Sequence, residues 1–309
     1  MKRGIKRFIV ICAAVAVMGL LMTAAGFAMG GVGDMHELSR YSWIYAGGGE
    51  TVTKSLGEGE SFSLIDISVS GDMDIYIREG EDSDTRISYG EEMAEPELYV
   101  KDGTLTVNVE SYSHEGVYLN LDFDDSDTMV LEVFCPENTE LESVHIASDS
   151  GDVEIYDAEV GKAEIISDYG DIKVENSVFD EINVTADSGD VSMSDVDFGV
   201  CELTMGCGDL KMLGVTSESL NACMNKGDCN IEGSLEGTTE IKAGIGDIAL
   251  RTPFAESLYS IVAYVDIGEL EINGNEISTS DANYQGGSGE YQLTIETGSG
   301  DVELEFAGQ

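Results

Sequence analysis

The pair Gly-Asp recurs at Gly151-Asp152, Gly170-Asp171, Gly189-Asp190, Gly208-Asp209, Gly227-Asp228 and Gly246-Asp247, and every interval is 19 residues. Six copies in one phase mean that a single structural unit repeats, and so short a unit buries its apolar face only by stacking on its neighbours. Counted from the Gly, position 3 holds Val153, Ile172, Val191, Leu210, Cys229 and Ile248, and position 5 holds Ile155, Val174, Met193, Met212, Ile231 and Leu250. Position 13 holds Ala163, Ile182, Cys201, Leu220, Thr239 and Leu258, and position 15 holds Ile165, Val184, Leu203, Ala222, Ile241 and Ser260. Position 17 holds Ser167, Ala186, Met205, Met224, Ala243 and Val262. Two runs of period-two alternation per repeat are strand geometry. Position 18 holds Asp168, Asp187, Gly206, Asn225 and Gly244. These residue types tolerate the left-handed conformation, so a sharp turn is expected there, completed by the Gly of the next repeat.

Stacked at the ~4.8 Å spacing of paired strands, such units form an all-β, single-stranded parallel β-helix, or β-solenoid, with one coil per repeat of about 19 residues. A left-handed hexapeptide helix is disfavoured because 19 is not a multiple of six. A calcium-binding nonapeptide roll needs more Gly per repeat, and a propeller blade needs roughly 40 residues. The strict repeats span 149–267. The phase then drifts to Gly268-Glu269 and ends at Gly300-Asp301, giving irregular C-terminal coils over 268–309. An isolated earlier copy, Gly71-Asp72, stands in irregular first coils over 61–148, where Ser63–Val69, Asp74–Ile77, Thr104–Val109 and Met129–Val133 alternate. These coils are expected to cap the open end of the stack, with a polar excursion over 110–127.

The N-terminus reads differently. Lys2, Arg3, Lys6 and Arg7 precede an uncharged apolar run over 8–30, long enough to span the ~30 Å hydrocarbon core as a helix. The positive-inside rule keeps the stub 1–7 cytoplasmic and puts the remainder outside a cell membrane. A cleaved signal peptide ending near Gly26-Phe27-Ala28 competes with a signal anchor, and the length of the run favours the anchor. Residues 31–60, with Gly47-Gly48-Gly49, read as a juxtamembrane stalk. Asp and Glu number 61 against 15 Lys and Arg, a net charge of −46. That balance excludes direct nucleic-acid binding and predicts an acidic surface that attracts cations.

Together, the basic stub with its apolar run, Gly71-Asp72-Met73-Asp74-Ile75, Asp102-Gly103-Thr104-Leu105-Thr106-Val107, Val133-Phe134-Cys135-Pro136, Leu141–Ile146 and the Ser-Gly-Asp ladder from Ser150 resemble a bacterial putative adhesin family, domain of unknown function 4097. The resemblance covers about Ser61 to Phe306, and Cys135 departs from it, standing where a bulky apolar residue is usual. It implies a right-handed β-helix at the cell surface and carries no catalytic residues.

The Asp column Asp152, Asp171, Asp190, Asp209, Asp228 and Asp247 is the first site to weigh. Neighbours ~4.8 Å apart repel by ~0.9 kcal/mol even in water, so hydrogen bonds from backbone N–H groups of each corner are expected to offset the charge. With Asp168 and Asp187 beside them, Asp152, Asp171 and Asp190 form a candidate Ca²⁺ ladder. A discrete site needs six to eight oxygens, so a diffuse cation atmosphere is the expectation and no cofactor is assigned. Cys201, Cys207, Cys223 and Cys229, with Met193, Met205, Met212 and Met224, concentrate sulfur, but mostly in inward columns where they act as adaptable hydrophobes. Free thiols are expected, since the column offsets exceed bridging distance. His36, His114 and His145 stand beside no nucleophile, and Lys226 and Lys242 read as solvated bases.

The expectation is therefore a membrane-anchored, non-enzymatic binding or adhesion surface at the bacterial cell envelope, facing cell-wall polymer or an envelope protein. A regulatory, envelope-stress-sensing partner of a membrane protein is the alternative, and a polysaccharide-active β-helix enzyme is a further one.

Overall fold

The computed structural model describes residues 44–46, 51–56, 61–80, 85–90, 95–110, 117–119, 129–136, 139–277 and 283–308. The chain divides into two compact units. In the first, residues 1–49 and 112–126, the described part is a parallel pair of strands, Ile44–Ala46 and Val117–Leu119. The second, residues 50–111 and 127–309, contains the repeats. The stub 1–7, the apolar run 8–30 and most of the stretch 31–60 lie outside the described residues. Among the described residues no helix is long and apolar enough to cross a membrane. Thr51–Ser55, inside the stretch read as a stalk, is a strand that pairs antiparallel with Arg86–Gly90.

Each strict repeat supplies a short strand, such as Val153–Tyr156 or Ile172–Glu175, and a long one, such as Glu159–Tyr169 or Val178–Ser188. Like pairs with like in parallel: Val153 faces Ile172, Ile172 faces Val191, Ala163 faces Ile182 and Ile182 faces Cys201. The inward columns stack into one continuous core. Val153, Ile172, Val191, Leu210, Cys229 and Ile248 form one buried file, and Ile155, Val174, Met193, Met212, Ile231 and Leu250 form a second. Burying a side chain of this size is worth about 1.5–3 kcal/mol, so each added rung extends a core that no rung forms alone.

The corners differ from expectation in one respect. The Gly column has the left-handed backbone foreseen for it, with φ +128° at Gly170, +136° at Gly189 and +144° at Gly208. Position 18 does not: the other left-handed corner is position 7, at Asp157, Asn176, Asp195 and Gly214, with φ between 49° and 68°. Asp, Asn and Gly fill both columns, so composition alone does not say which of them turns. At position 18 the strand instead carries a skipped register position, as between Ala186 and Ser188, and stays extended.

The two ends depart from chain order. Residues 64–80 form not the first rung but the second, lying between the rung of 104–110 and 129–136 and the rung of Glu140–Ser150 and Val153–Tyr156. At the other end, Tyr291–Ser299 and Val302–Phe306 insert between the rung of 234–252 and that of Tyr259–Ile267 and Leu270–Ile272. The stack therefore has ten rungs among the described residues, and the first and last in sequence are each one place in from an end. Antiparallel strands Arg86–Gly90, Glu97–Lys101, Asn275–Glu276 and Asn283–Gly287 cover the outer edges, which otherwise present unpaired backbone groups.

Two sequence assignments are corrected by this threading. Residues 253–258 carry the chain past a whole rung and shift its phase by three residues, so Tyr259, Ile261, Ala263 and Val265 point inward, not Leu258, Ser260 and Val262. A shift by an odd number of residues exchanges the two faces of a strand. The early copy of the corner is Met73-Asp74, not Gly71-Asp72, because an irregularity between Val69 and Asp72 displaces the register before Ile75 meets Val153.

Candidate functional site

The Asp column is a hydrogen-bonded file. Oδ1 of Asp152 accepts the backbone N–H of Asp171 at 2.9 Å, and Asp171, Asp190 and Asp209 accept from the next corner at 2.8 Å each. The file starts at Asp74, which accepts from Asp152 at 3.0 Å, and continues through Asp247 to Asp301 and on to the N–H of Glu269. Each carboxylate thus serves the coil above it and not its own corner, and the charge-assisted bond opposes the repulsion along the file. Burial holds the Asp74 carboxyl above its ordinary 3.8, against the opposing pull of the Asp152 N–H. Of the Ca²⁺ candidates, Asp152, Asp171 and Asp190 each spend one oxygen on this ladder, while Asp168 and Asp187 are exposed on the long-strand side. Among the described residues no three His, Cys, Asp or Glu side chains are grouped to hold a metal ion.

The sulfur-rich middle separates into inward and outward members. Cys135, Cys201 and Cys229 are free and buried, and burial pushes each thiol up to about 12. Cys207 and Cys223 are free as well, the first exposed and the second half-buried. His145 lies beside Glu164, with Nδ1 at 3.3 Å from Oε2. His36 and His114 fall outside the described residues.

A groove of about 620 Å³ opens on the outer face of the long-strand ladder. Its origin is a local lack of side chains. Position 18 is Asn225, Gly244, Gly298 and Asp266 in four successive rungs, so two adjacent glycines form a bare floor between an amide and a carboxylate. These glycines are required by closeness, since a Cβ on Gly244 would lie 2.5 Å from the carbonyl oxygen of Asn225 and one on Gly298 would lie 2.7 Å from that of Gly244. One wall is the outward file Thr204, Cys223, Lys242, Glu296 and Tyr264, whose members face one another in register. Tyr264 is 38% exposed. The Lys242 ammonium lies 2.5 Å from Glu240, which, with a smaller contribution from neighbouring Glu296, holds its pKa above the ordinary lysine value; Glu296 and Asp266 form no ion pair among the described residues. Ile245 and Ile267 project beside the groove, 57% and 67% exposed. The arrangement can bind a ligand through hydrogen bonds, an aromatic face and two carboxylates.

The sequence places Asn225 and Gly244 in one column and presents Lys242 as a solvated base, but does not reveal the groove. Glu296, Gly298, Tyr264 and Asp266 come from rungs whose phase is lost, so their columns are not readable along the chain.

The Toastrack DUF4097 family model matches residues 62–305. Among solved structures, the chain is similar to a putative adhesin from Bacteroides fragilis NCTC 9343, with 16% identity over 84% of this chain and 99% of that one and a TM-score of 0.51. It is similar also to a putative adhesin from Parabacteroides merdae ATCC 43184, with 13% identity, 85% and 99% coverage and a TM-score of 0.38. A putative lipid binding protein from Parabacteroides distasonis ATCC 8503 matches at 13% identity, 84% and 99% coverage and a TM-score of 0.35. No curated protein matches. At these identities the likeness is one of fold, and the first of the three structures carries it.

Proposed function

Because the chain belongs to the Toastrack DUF4097 family, we propose that it is a non-enzymatic binding or adhesion surface of the cell envelope, held by a single membrane helix at residues 8–30 with the solenoid outside. The observation that carries this reading is the long-strand face: a ladder of parallel rungs with an open groove, presenting an outward side-chain position every ~4.8 Å. Such a surface suits a linear, repetitive partner such as cell-wall polymer, because contact positions recur at a fixed spacing along it. The basic stub before an uncharged run supports the anchor and its orientation.

The test is sedimentation of the full chain, reconstituted in lipid nanodiscs, with purified cell-wall sacculi. Saturable retention above that of empty discs is the expected outcome, and retention equal to empty discs sinks the reading.

A further inference from the structure

The groove on the long-strand face has a more specific chemistry than a generic contact surface. Its charged members are Lys242, Glu296 and Asp266, and Lys242 is already engaged by Glu240. Glu296, next to Lys242 in the file, and Asp266 therefore line the opening without an ion pair of their own among the described residues, in a chain whose net charge is −46. An anionic ligand is repelled and a cationic one is drawn in. Glu296 stands directly across from Tyr264 in the register, so an ammonium lodged between them meets a carboxylate and an aromatic ring together. Asn225 and Thr204 at the other side of the bare floor supply hydrogen-bonding groups. The volume of about 620 Å³ lies within the ~300–1,000 Å³ of small-ligand sites, yet the groove is open along the surface, so a chain can pass through it.

We infer that this groove binds a glycan segment carrying free amino groups, with Glu296 and Asp266 receiving the ammonium, Tyr264 packing on a sugar ring, and Asn225 and Thr204 meeting hydroxyls. A flat ring beside a run of polar groups matches a sugar, with its apolar ring face and hydroxyl edge, better than the bare aliphatic stem of a lysine side chain. This inference rests on reading the chain as a binding surface and names the ligand class and the site.

Calorimetric titration of the full chain in nanodiscs tests it, with three probes: a glucosamine tetramer, its fully N-acetylated counterpart, and trilysine. The free-amine tetramer should bind about tenfold or more tighter than the acetylated one, since acetylation removes the charge. E296Q combined with D266N should weaken the free-amine tetramer by about tenfold, and Y264A by about fivefold. E154Q combined with E232Q, which removes two carboxylates from the short-strand face, should leave it unchanged. Equal weakening by that control pair overturns the site in favour of diffuse charge attraction. Equal affinity for the acetylated tetramer or for trilysine overturns the ligand class, and no binding of the free-amine tetramer overturns the proposal outright. Sacculi retained equally by the wild type and the E296Q/D266N chain leave the binding-surface reading intact while removing this groove from it. Sacculi retained by neither remove the reading itself.

Discussion

Oδ1 of Asp171 accepts the backbone N–H of Asp190, 19 residues on, at 2.8 Å, and the same bond recurs from Asp74 to the last corner. The carboxylate column is therefore part of the backbone hydrogen-bonding of the stack. At Asp74 burial raises the pKa above 3.8. A raised carboxyl pKa means that the folded state binds the proton more tightly, so this group opposes folding above its folded pKa and ceases to do so as pH falls towards 3.8. Asp74→Asn keeps an oxygen for the Asp152 N–H and removes the charge. It should raise the melting temperature at pH 7, with the gain vanishing near pH 3.5, as followed by calorimetry.

The glycine column has two independent reasons to be glycine. Gly189 has φ +136°, and a Cβ there would lie 2.0 Å from the carbonyl oxygen of Gly170. Gly103 has φ +80° but nothing within 4 Å of its Cβ position. Gly189→Ala should cost upwards of about 3 kcal/mol or prevent folding, and Gly103→Ala only about 1 kcal/mol, the conformational part alone. Urea denaturation of the two variants separates close approach from backbone preference.

Thiol reactivity follows burial. Cys135, Cys201 and Cys229 are pushed up to about 12 and shielded, whereas Cys207 is exposed and Cys223 half-buried. Brief alkylation of the native protein, mapped by mass spectrometry, should label Cys207 first and Cys223 next among the cysteines of the described residues. Cys135, Cys201 and Cys229 should react only after unfolding.

The threading of the C-terminal end makes residues 291–306 an internal rung. Leu293, Ile295, Val302 and Leu304 are fully buried between two neighbours. Removing residues 289–309 should therefore release Tyr259–Ile267 as well, and hydrogen exchange should rise throughout 248–287. Exchange confined to the last few residues before the truncation contradicts the insertion.

Much of this architecture was legible before any coordinates. The files at positions 3 and 5 follow from alternation at constant spacing, and each member from Val153 to Leu250 is inward as expected. What the chain conceals is order at the ends, because the choice of rung beside which Tyr291–Ser299 docks is a long-range pairing with no local signal. The same holds for the groove. Gly244 is visible in its column, but Gly298 and Glu296, which make it a site, arrive from a rung 54 residues later in the chain. Position 18 misled for a different reason: its glycines answer to a carbonyl 2.3–2.7 Å away and not to a left-handed turn.

Distances between spin labels along one outward file test the stack and its threading together. Lys173, Ser192, Lys211, Asn230, Ala249, Glu303 and Glu271 succeed one another in register on the short-strand ladder. Labels at 173 and 303 should lie about 24 Å apart, and labels at 173 and 271 about 29 Å, at ~4.8 Å per rung. Position 303 being the farther of the two, or both distances differing grossly from these values, contradicts a stack into which the last coil is inserted.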